Sequence, residues 1–411
     1  MNSAANEAGR GVAERDSRRR VAVAGLTALY CLAIFLALDF LYSRLFHHPA
    51  GSVRIPDLVF SHTLRPNFDG YDIWGERKYR FITDSLGFKD AAVRDIPLRP
   101  QGRRVILIGD SFTEGLGVPF EESFAGTLAA AGAQRAANTE FLDAAVLSYS
   151  PALYYRKIKF LIDSGLVFDE VVVLPDLSDV FDEATSYFCF DDFAQYAALC
   201  RGVGAKPQPR SDDRSSSPAD APNPIAAAMP ERVVPQNSAL RDATHAVGVF
   251  LQRNLTVTDA LRLIVKFKLL DWSGAFKREQ FVPSERIGWS VPDYDAGNDY
   301  APLGVDGGIA RGLLHMQALA DLLAQRHIPL TVAVYPWPLS LIQADPAGRW
   351  VPMWRQFCAA NCKAFVDIFP DFIAARDAHA DWYDRYFVPG DAHFSAAGHR
   401  IVFDALTRAG L

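Results

Sequence analysis

The sequence has no basic excess, no internal repeat and no histidine at zinc-ligand spacing near its few cysteines. With 42 Lys and Arg against 48 Asp and Glu, its formal net charge is −6, which excludes the basic stripe typical of nucleic-acid-binding proteins. Half of the residues are hydrophobic, so the composition is not that of a disordered or fibrous chain. The 411 residues can therefore bury one large core or two smaller ones.

One long hydrophobic run stands apart from this composition. The run VAVAGLTALYCLAIFLAL, residues 21–38, carries no charge and is just long enough to cross a bilayer as a helix. A cleavable signal peptide would need a shorter apolar core and a small-residue cleavage site, whereas LDFLYSRLFHH follows the run. A buried core helix fits the basic flank poorly. We therefore expect a basic cytoplasmic tail over residues 1–20 and a transmembrane anchor over residues 21–42.

The charges that precede this run predict its orientation. Arginines near one end of a span favour the cytoplasmic side for that end. The rest of the chain is then expected outside the inner membrane, facing the periplasm or the cell exterior. The arginines concerned are Arg15, Arg18, Arg19 and Arg20.

The cysteines are compatible with an oxidising compartment. Cys31 lies within the predicted anchor, and the other four form two local pairs, Cys189 with Cys200 and Cys358 with Cys362. Each pair can form a disulfide outside the cytoplasm, and two packed free thiols remain the alternative for the second pair. Because no histidine stands at zinc-ligand spacing near either pair, we predict no metal site and no cofactor.

Beyond residue 100, hydrophobic strands alternate with helical segments. The five predicted strands are RRVILIG (103–109), TEFLDAAV (139–146), DEVVVLP (169–175), PLTVAVYP (329–336) and AFVDIF (364–369). Several have apolar centres, as strands covered on both faces do. This order predicts an α/β fold with a five-stranded parallel sheet, right-handed crossovers and helices on both faces.

The domain organisation is read from breaks in this alternation. Residues 51–100 contain short alternating segments and are predicted to form a cap of strands and turns. Residues 101–411 form the main domain, with a long insertion over residues 189–300. Within the insertion, residues 202–236 are rich in Pro, Ser and charge, which is typical of a mobile loop or linker, and amphipathic helices are expected after it.

The segment GDSFTEG, residues 109–115, follows the first predicted strand of the main domain directly. In a parallel sheet, ligands bind beyond the carboxyl ends of the strands, so Ser111 is expected at the mouth of that crevice. A hydroxyl at this place can act as a nucleophile near the free N–H groups of the next helix. The alternative is that Ser111 caps that helix, which is the commoner use of serine before a helix.

A second polar segment, VPGDAHFSAAGHR, precedes the predicted last helix. It places Asp391 two residues before His393. A neutral imidazole can accept the proton of a serine hydroxyl, and a carboxylate can orient that imidazole. The alternatives are a turn cap with a surface histidine, or a metal site that also includes His399.

Together, these segments resemble the SGNH/GDSL hydrolase family over roughly residues 103–411. The first family block resembles GDSFTEG, with Ser111 as nucleophile, and the last resembles Asp391-Ala-His393. The resemblance implies a flavodoxin-like three-layer α/β/α sandwich and ester hydrolysis or acyl transfer. It further implies an oxyanion site to which Ser148 contributes a backbone N–H in place of the family's glycine. Ser178 stands where the family has asparagine, with Asp110 and Asp179 beside the same site.

The segments SYSPALYYRKIKFLIDSG and TDSLGFKD are similar to those of membrane-anchored envelope members related to polysaccharide O-acetylation and deacetylation. This likeness implies a serine esterase or O-acyltransferase acting on ester-linked acyl groups, mainly acetyl, of an envelope or exported polysaccharide. Its expected partners are an acylated glycan or another ester substrate, the membrane and polysaccharide-assembly proteins. The alternative is a catalytically weak or inactive glycan-binding or scaffold protein with the same fold. A lipase or thioesterase is a third possibility, for which no lipid-specific feature is present.

Overall fold

The computed structural model describes residues 2–46, 53–74, 77–134, 138–187 and 286–411, the last without 293, 295, 296 and 298. Between 255 and 265 it describes Leu255, Val257, Thr258, Leu261 and Val265. Most of the predicted insertion therefore lies outside the described residues, and so do residues 202–236, predicted to be a mobile loop or linker, and the Cys189–Cys200 pair. The chain forms two compact units. We call Met1–Gly51 with Pro235–Lys266 the anchor unit, and Ser52–Val234 with Phe267–Leu411 the sheet unit.

The anchor unit contains one long helix, α1, over Asn2–Phe46. Its segment Arg19–Arg44 has a mean hydropathy of 2.4 and is long and apolar enough to cross a membrane. Large apolar side chains of this segment, such as Leu26, Leu29 and Leu38, are exposed. The predicted hydrophobic run is thus part of a single continuous helix, and its large apolar side chains are mostly exposed.

The sheet unit is built on five parallel strands, as the alternation predicts. They are β5 (Arg104–Gly109), β6 (Glu140–Asp143), β7 (Glu170–Leu174), β8 (Leu330–Val334) and β9 (Ala364–Asp367), in the spatial order β6-β5-β7-β8-β9. Every neighbouring pair is parallel. The first of these strands in the chain lies between the second and the third, which is the flavodoxin-like order. Its topological switch point lies at the carboxyl ends of β5 and β7.

Helices cover both faces of this sheet. They are α2 (Ser111–Glu114), α3 (Phe124–Ala133), α4 (Pro151–Asp163), α5 (Asp179–Thr185), α6 (Gly304–Gln325), α7 (Pro338–Leu341), α8 (Trp350–Asn361), α9 (Phe369–Ala378), α10 (Trp382–Tyr386) and α11 (Ala396–Arg408). Ile106 and Ile108 of β5 pack into one apolar cluster with residues of α4, α6 and α8. Val105 and Leu107 pack into a second cluster with residues of α3, α9 and α11. This alternation produces the expected three-layer sandwich.

Two antiparallel hairpins precede the sheet. Strands β1 (Arg54–Asp57) and β2 (Ser61–Leu64) form the first, and β3 (Asp69–Trp74) and β4 (Arg77–Ile82) form the second. The side chain of Arg54 binds both Asp72 of β3 and Glu114 of α2. The hairpins are thereby linked to the turn that follows β5.

The cysteine pair on α8 is bonded. Cys358 lies in the last turn of α8 and forms a disulfide with Cys362 directly after it. Of the two alternatives that the sequence leaves open for this pair, the structure has the disulfide. Cys31 in α1 is a free, exposed cysteine.

Candidate active site

The turn after β5 depends on glycine at two positions. A Cβ atom on Gly109 would lie 2.8 Å from the carbonyl oxygen of Leu174 and 2.2 Å from Thr113 Oγ1, so no side chain fits at the end of this strand. Gly115 ends α2 with a left-handed φ of 71°. The helix cap between them is Asp110, which accepts a hydrogen bond from Phe112 N. Ser111 is therefore not the cap, and its hydroxyl is available for other contacts.

Ser111, His393 and Asp391 form one hydrogen-bonded chain. Ser111 Oγ lies 2.7 Å from His393 Nε2, although the two residues are 282 positions apart in the chain. The Nδ1 atom of His393 is hydrogen-bonded to Asp391 Oδ1. When Nδ1 carries its hydrogen toward the carboxylate, Nε2 accepts the hydrogen of Ser111. This is the arrangement by which a serine hydroxyl can be activated as a nucleophile.

Asp391 is held by two further donors. The backbone N–H of His393 donates to Oδ1 at 2.9 Å, and the indole Nε1 of Trp74 donates to Oδ2 at 2.7 Å. Burial alone would raise the pKa of Asp391, but the charge of His393 and these hydrogen bonds lower it below its ordinary value. The carboxylate therefore stays ionised beside the imidazole. Sequence reasoning missed Trp74, which no local motif marks.

Aromatic rings fix the imidazole from two sides. The centroid of the Phe112 ring lies 4.6 Å from that of His393, and the Trp74 ring meets the imidazole edge-on at 5.4 Å. Ser111 and His393 are only 5% and 9% exposed. A largely covered, apolar surrounding strengthens each hydrogen bond of the chain relative to water.

Asp110 is a second neighbour of the Ser111 hydroxyl. Its Oδ2 lies 3.1 Å from Ser111 Oγ, and its Oδ1 accepts from Phe112 N and from Tyr335 OH. Burial, followed by the charge of Asp176, raises the pKa of Asp110 well above its ordinary value. The hydrogen of the Ser111 hydroxyl therefore has two acceptors within reach, Asp110 Oδ2 and His393 Nε2.

The loop after β7 carries Ser178 at the other side of the switch point. Asp176 fixes this loop, since its carboxylate accepts from Ser178 N at 2.8 Å and from Trp337 Nε1 at 2.7 Å. Asp179 accepts from Tyr154 OH and from Asp176 N. Burial, with the charges of Asp176 and Asp110, raises the pKa of Asp179 well above its ordinary value. Ser178 lies directly before α5, but its hydroxyl forms no cap.

The loop after β6 carries Ser148 in a strained conformation. Ser148 has a φ of 59°, in the left-handed region that favours glycine. Leu147 before it is fixed by Glu114, which accepts from its N–H at 2.7 Å, and by His62, whose Nε2 donates to its carbonyl at 2.6 Å. Tyr187 OH donates to the Ser148 carbonyl. The Ser148 N–H itself donates to no other described residue.

Arg286 is a cation beside this loop that sequence reasoning did not identify. Its Nη2 donates to Asp182 Oδ2 at 2.6 Å and lies 3.5 Å from Ser148 Oγ. Burial opposes its charge, but the carboxylates of Asp182, Asp176 and Asp110 raise the pKa of Arg286. Its neighbour Trp289 donates to the Leu177 carbonyl at 2.9 Å and so attaches this segment to the loop after β7. Arg286 belongs to no short motif, so the sequence gives no local signal for its position beside Ser148.

His399, the third member of the alternative metal set, lies inside α11. Its ring packs against Phe124 and Phe394, and burial lowers its pKa to about 3. Both ring nitrogens of His393 are already hydrogen-bonded to Ser111 and Asp391. Within the described parts of the chain, no three His, Cys, Asp or Glu side chains are grouped as a metal site.

No protein-family model and no curated protein matches the chain. Among solved structures, an acetyl xylan esterase aligns with a TM-score of 0.38 and 12% sequence identity, covering 75% of this chain and 100% of that one. A catalytic mutant of an acetylxylan esterase from Geobacillus stearothermophilus has a TM-score of 0.36 and 10% identity, covering 76% and 95%. An α/β hydrolase from the metagenome of Lake Arreo, Spain, has a TM-score of 0.35 and 10% identity, covering 76% and 96%. Similarity at this level concerns the chain path alone and does not indicate what the protein acts on.

Proposed function

We propose that the protein is a serine esterase or O-acyltransferase of the SGNH type, which acts on ester-linked acyl groups. The observation that carries this proposal is the hydrogen-bonded chain of Ser111, His393 and Asp391 at the carboxyl edge of the sheet. The hydrogen bond from Trp74 to Asp391 supports it, because it adds to the contacts of His393 that lower the pKa of the carboxyl group. A purely structural role needs none of these three side chains in this order.

In the proposed reaction, Ser111 Oγ attacks the acyl carbon while His393 Nε2 takes the hydroxyl proton. Asp391 holds the tautomer of His393 and stabilises the imidazolium that forms. His393 then returns the proton to the leaving alcohol oxygen, and an acyl ester remains on Ser111. Water or a sugar hydroxyl attacks this ester with His393 as base, which releases the acid or transfers the acyl group.

The oxyanion of the tetrahedral intermediate requires donors near Ser111. We assign this role to the N–H groups of Ser111 and Ser148 and to the hydroxyl of Ser178. The N–H of Ser148 and the hydroxyl of Ser178 have no acceptor among the described residues, which supports their availability. We retain Asp110 and Asp179 in the proposed site as the residues that fix the loops carrying Ser111 and Ser178.

The membrane and substrate parts of the proposal rest on the sequence. We propose that residues 21–42 anchor the protein in the inner membrane with the sheet unit in the periplasm or outside the cell. The apolar exposed segment of α1 and the Cys358–Cys362 disulfide support this placement, because disulfides persist in oxidising compartments. The proposed substrate is an acetylated envelope or exported polysaccharide, on the resemblance of the sequence to envelope members of the family.

One observation favours the alternative of a catalytically weak, glycan-binding protein of a polysaccharide-assembly system. Ser178 offers a short hydroxyl where the family has the longer asparagine amide. Loss of one oxyanion donor costs about 2.7–4 kcal/mol of transition-state stabilisation in other hydrolases. A protein of this kind would bind acylated glycan without turning it over.

The test is hydrolysis of p-nitrophenyl acetate by the full-length protein in detergent, compared with Ser111→Ala, His393→Ala and the surface control Ser164→Ala. We expect turnover by the wild type and the control, and a loss of at least a hundredfold in the other two variants. A fluorophosphonate should label the wild type but not Ser111→Ala. Equal rates in all four proteins, with no labelling, would favour the binding protein.

A further inference from the structure

The helix α1 carries one ionisable side chain close to the end of its apolar segment. Asp39 directly follows the uncharged run of residues 21–38 and lies five positions before Arg44, where the candidate span ends. At 1.5 Å per residue, this is about 7.5 Å from that end. Asp39 is 3% exposed, whereas its apolar neighbours Leu38 and Phe40 are exposed. An ionisable group at such a depth requires a hydrogen-bonding partner.

The partner of Asp39 is the start of a second helical segment of the anchor unit. Its carboxylate accepts hydrogen bonds from Val257 N at 2.9 Å, Thr258 N at 2.8 Å and Thr258 Oγ1 at 2.6 Å. Val257 and Thr258 have helical backbone. Asp39 therefore caps the first N–H groups of this segment, as a carboxylate does at a helix N-terminus. The hydrogen bonds fix the start of the segment at the depth of Asp39.

The second segment exposes apolar side chains along one face. Val257, Leu261 and Val265 are helical and are 38%, 51% and 57% exposed. The spacing of four positions between these described residues is the one that places side chains on the same side of a helix, and we call the three the apolar stripe. The apolar side chains of α1 are exposed in the same unit. Contact with the same bilayer would shield both the apolar side chains of α1 and those of this stripe from water.

The position of Asp39 along α1 indicates which region of the bilayer the second segment contacts. A hydrocarbon core of about 30 Å takes about 20 helical residues, which from Val21 extends to Phe40. Asp39 then lies at the boundary between acyl chains and headgroups on the outer side. A helix that starts at this boundary and carries an apolar stripe fits an interfacial orientation.

We propose that the segment containing Val257, Leu261 and Val265 is a second membrane contact, which lies in the outer interface with its apolar stripe toward the acyl chains. Asp39 fixes its start. The proposal uses only the anchored part of the proposed function and is independent of the esterase reaction. It makes the part of the predicted insertion around Val257 an element that contacts the membrane.

The experiment uses full-length protein in phosphatidylcholine–phosphatidylglycerol nanodiscs that contain spin-labelled lipid. In a background with Cys31, Cys189 and Cys200 replaced by serine, an NBD fluorophore is attached after Leu261→Cys or Val265→Cys. Ile342→Cys, which replaces an exposed apolar residue of the sheet unit, is the matched control. Leu29→Cys reports the span itself. We expect quenching at 261 and 265 to exceed that at 342 at least twofold, and Asp39→Ala to reduce it to the level at 342.

Any other result contradicts the proposed second membrane contact. Quenching at 261 and 265 equal to that at 342 would show that the stripe faces water. Blue-shifted emission without quenching by lipid would show that protein, such as a second copy, covers the stripe. If the label at 29 is also unquenched, the membrane anchor fails together with this inference. If the label at 29 is quenched and those at 261 and 265 are not, only this inference fails.

Discussion

The indole of Trp74 determines how Asp391 can support His393. It contributes one of the donors to the carboxylate and an edge-on ring to the imidazole. The pair is 317 positions apart in the chain, so no local pattern relates them. Trp74 acts through Asp391, and we regard it as a positioning residue.

We predict that Trp74→Phe, which keeps an aromatic ring but removes the N–H, lowers kcat for p-nitrophenyl acetate about tenfold. The reason is that a hydrogen bond to a charged group contributes about 1.5–3 kcal/mol. KM should change little, because Trp74 contacts the base and not the acyl group. Trp382→Phe is the matched control, and an effect of equal size there would contradict a specific role for Trp74.

Ser178 allows a second test at this scale. If its hydroxyl binds the oxyanion, Ser178→Ala lowers kcat by tenfold or more with KM nearly unchanged, as loss of such a donor does. Ser186→Ala makes the same change at the opposite, exposed end of α5 and should leave kcat unaffected. Equal kcat values for wild type and Ser178→Ala would remove Ser178 from the oxyanion site.

Single residues differ in how far the sequence predicts them. Ser111, His393 and Asp391 are predicted as a set because each belongs to a short motif, and the structure joins them by hydrogen bonds. Trp74 and Arg286 reach the site only through the tertiary fold, from parts of the chain without such motifs. Their place in the site cannot be predicted from the spacing of residues along the sequence.

At the scale of elements, the carboxylate of Glu183 links three helices, one of which is α4, the helix after the loop that carries Ser148. Glu183 of α5 accepts from Ser150 Oγ and Ala152 N at the start of α4, and forms a buried ion pair with Arg311 of α6. Burial opposes its charge, but the charge of Arg311 and hydrogen bonds that include those of His315 and Ser150 lower its pKa to about 2. The position of α4 therefore depends on an ionised Glu183.

We predict that Glu183→Gln lowers the free energy of unfolding by about 3–5 kcal/mol, because it removes the negative charge of a buried ion pair. Urea unfolding at pH 7, followed by circular dichroism, measures the change. Glu121→Gln, at an exposed position, is the control. A loss below about 1 kcal/mol would show that other groups neutralise Arg311.

Elements are predicted best where their hydrophobic pattern is simple. The apolar runs of β5, β7 and β8 predict these strands to within a few residues. The start of α6 is less clear, because Gly304 to Gly308 is glycine-rich and has low helix propensity. Helices α9 and α10 were not predicted, since their short segments lack a clear apolar period and are held by packing on the second cluster.

At the scale of the whole molecule, buried carboxyl groups determine how stability depends on pH. Burial raises the pKa of Asp84 to about 7. Its Oδ1 accepts from Leu86 N and Phe88 N, while Oδ2 is buried without a hydrogen-bond partner among the described residues. The folded state therefore binds this proton more tightly than the unfolded state. The contribution of Asp84 is fully present below pH 4 and is lost as the pH rises toward 7.

We predict that Asp84→Asn reduces the loss of stability between pH 5 and pH 8 by about 2–3 kcal/mol relative to wild type. Urea midpoints at the two pH values measure it. The exposed Asp345→Asn is the control and should show the same change of stability between the two pH values as the wild type. An equal change of stability with pH in Asp84→Asn and in the wild type would mean that the pKa of Asp84 is not raised in the folded protein.

The order of the site residues along the chain has a consequence for biogenesis. During synthesis, Ser111 leaves the ribosome well before His393, which is 282 positions later. A serine hydroxyl is a poor nucleophile until a base such as His393 accepts its proton. A partly synthesised chain is therefore unreactive at Ser111 even when its first strands have formed. In the proposed reaction, Ser111 therefore becomes active only when the loop that carries Asp391 and His393 has packed at the edge of the sheet.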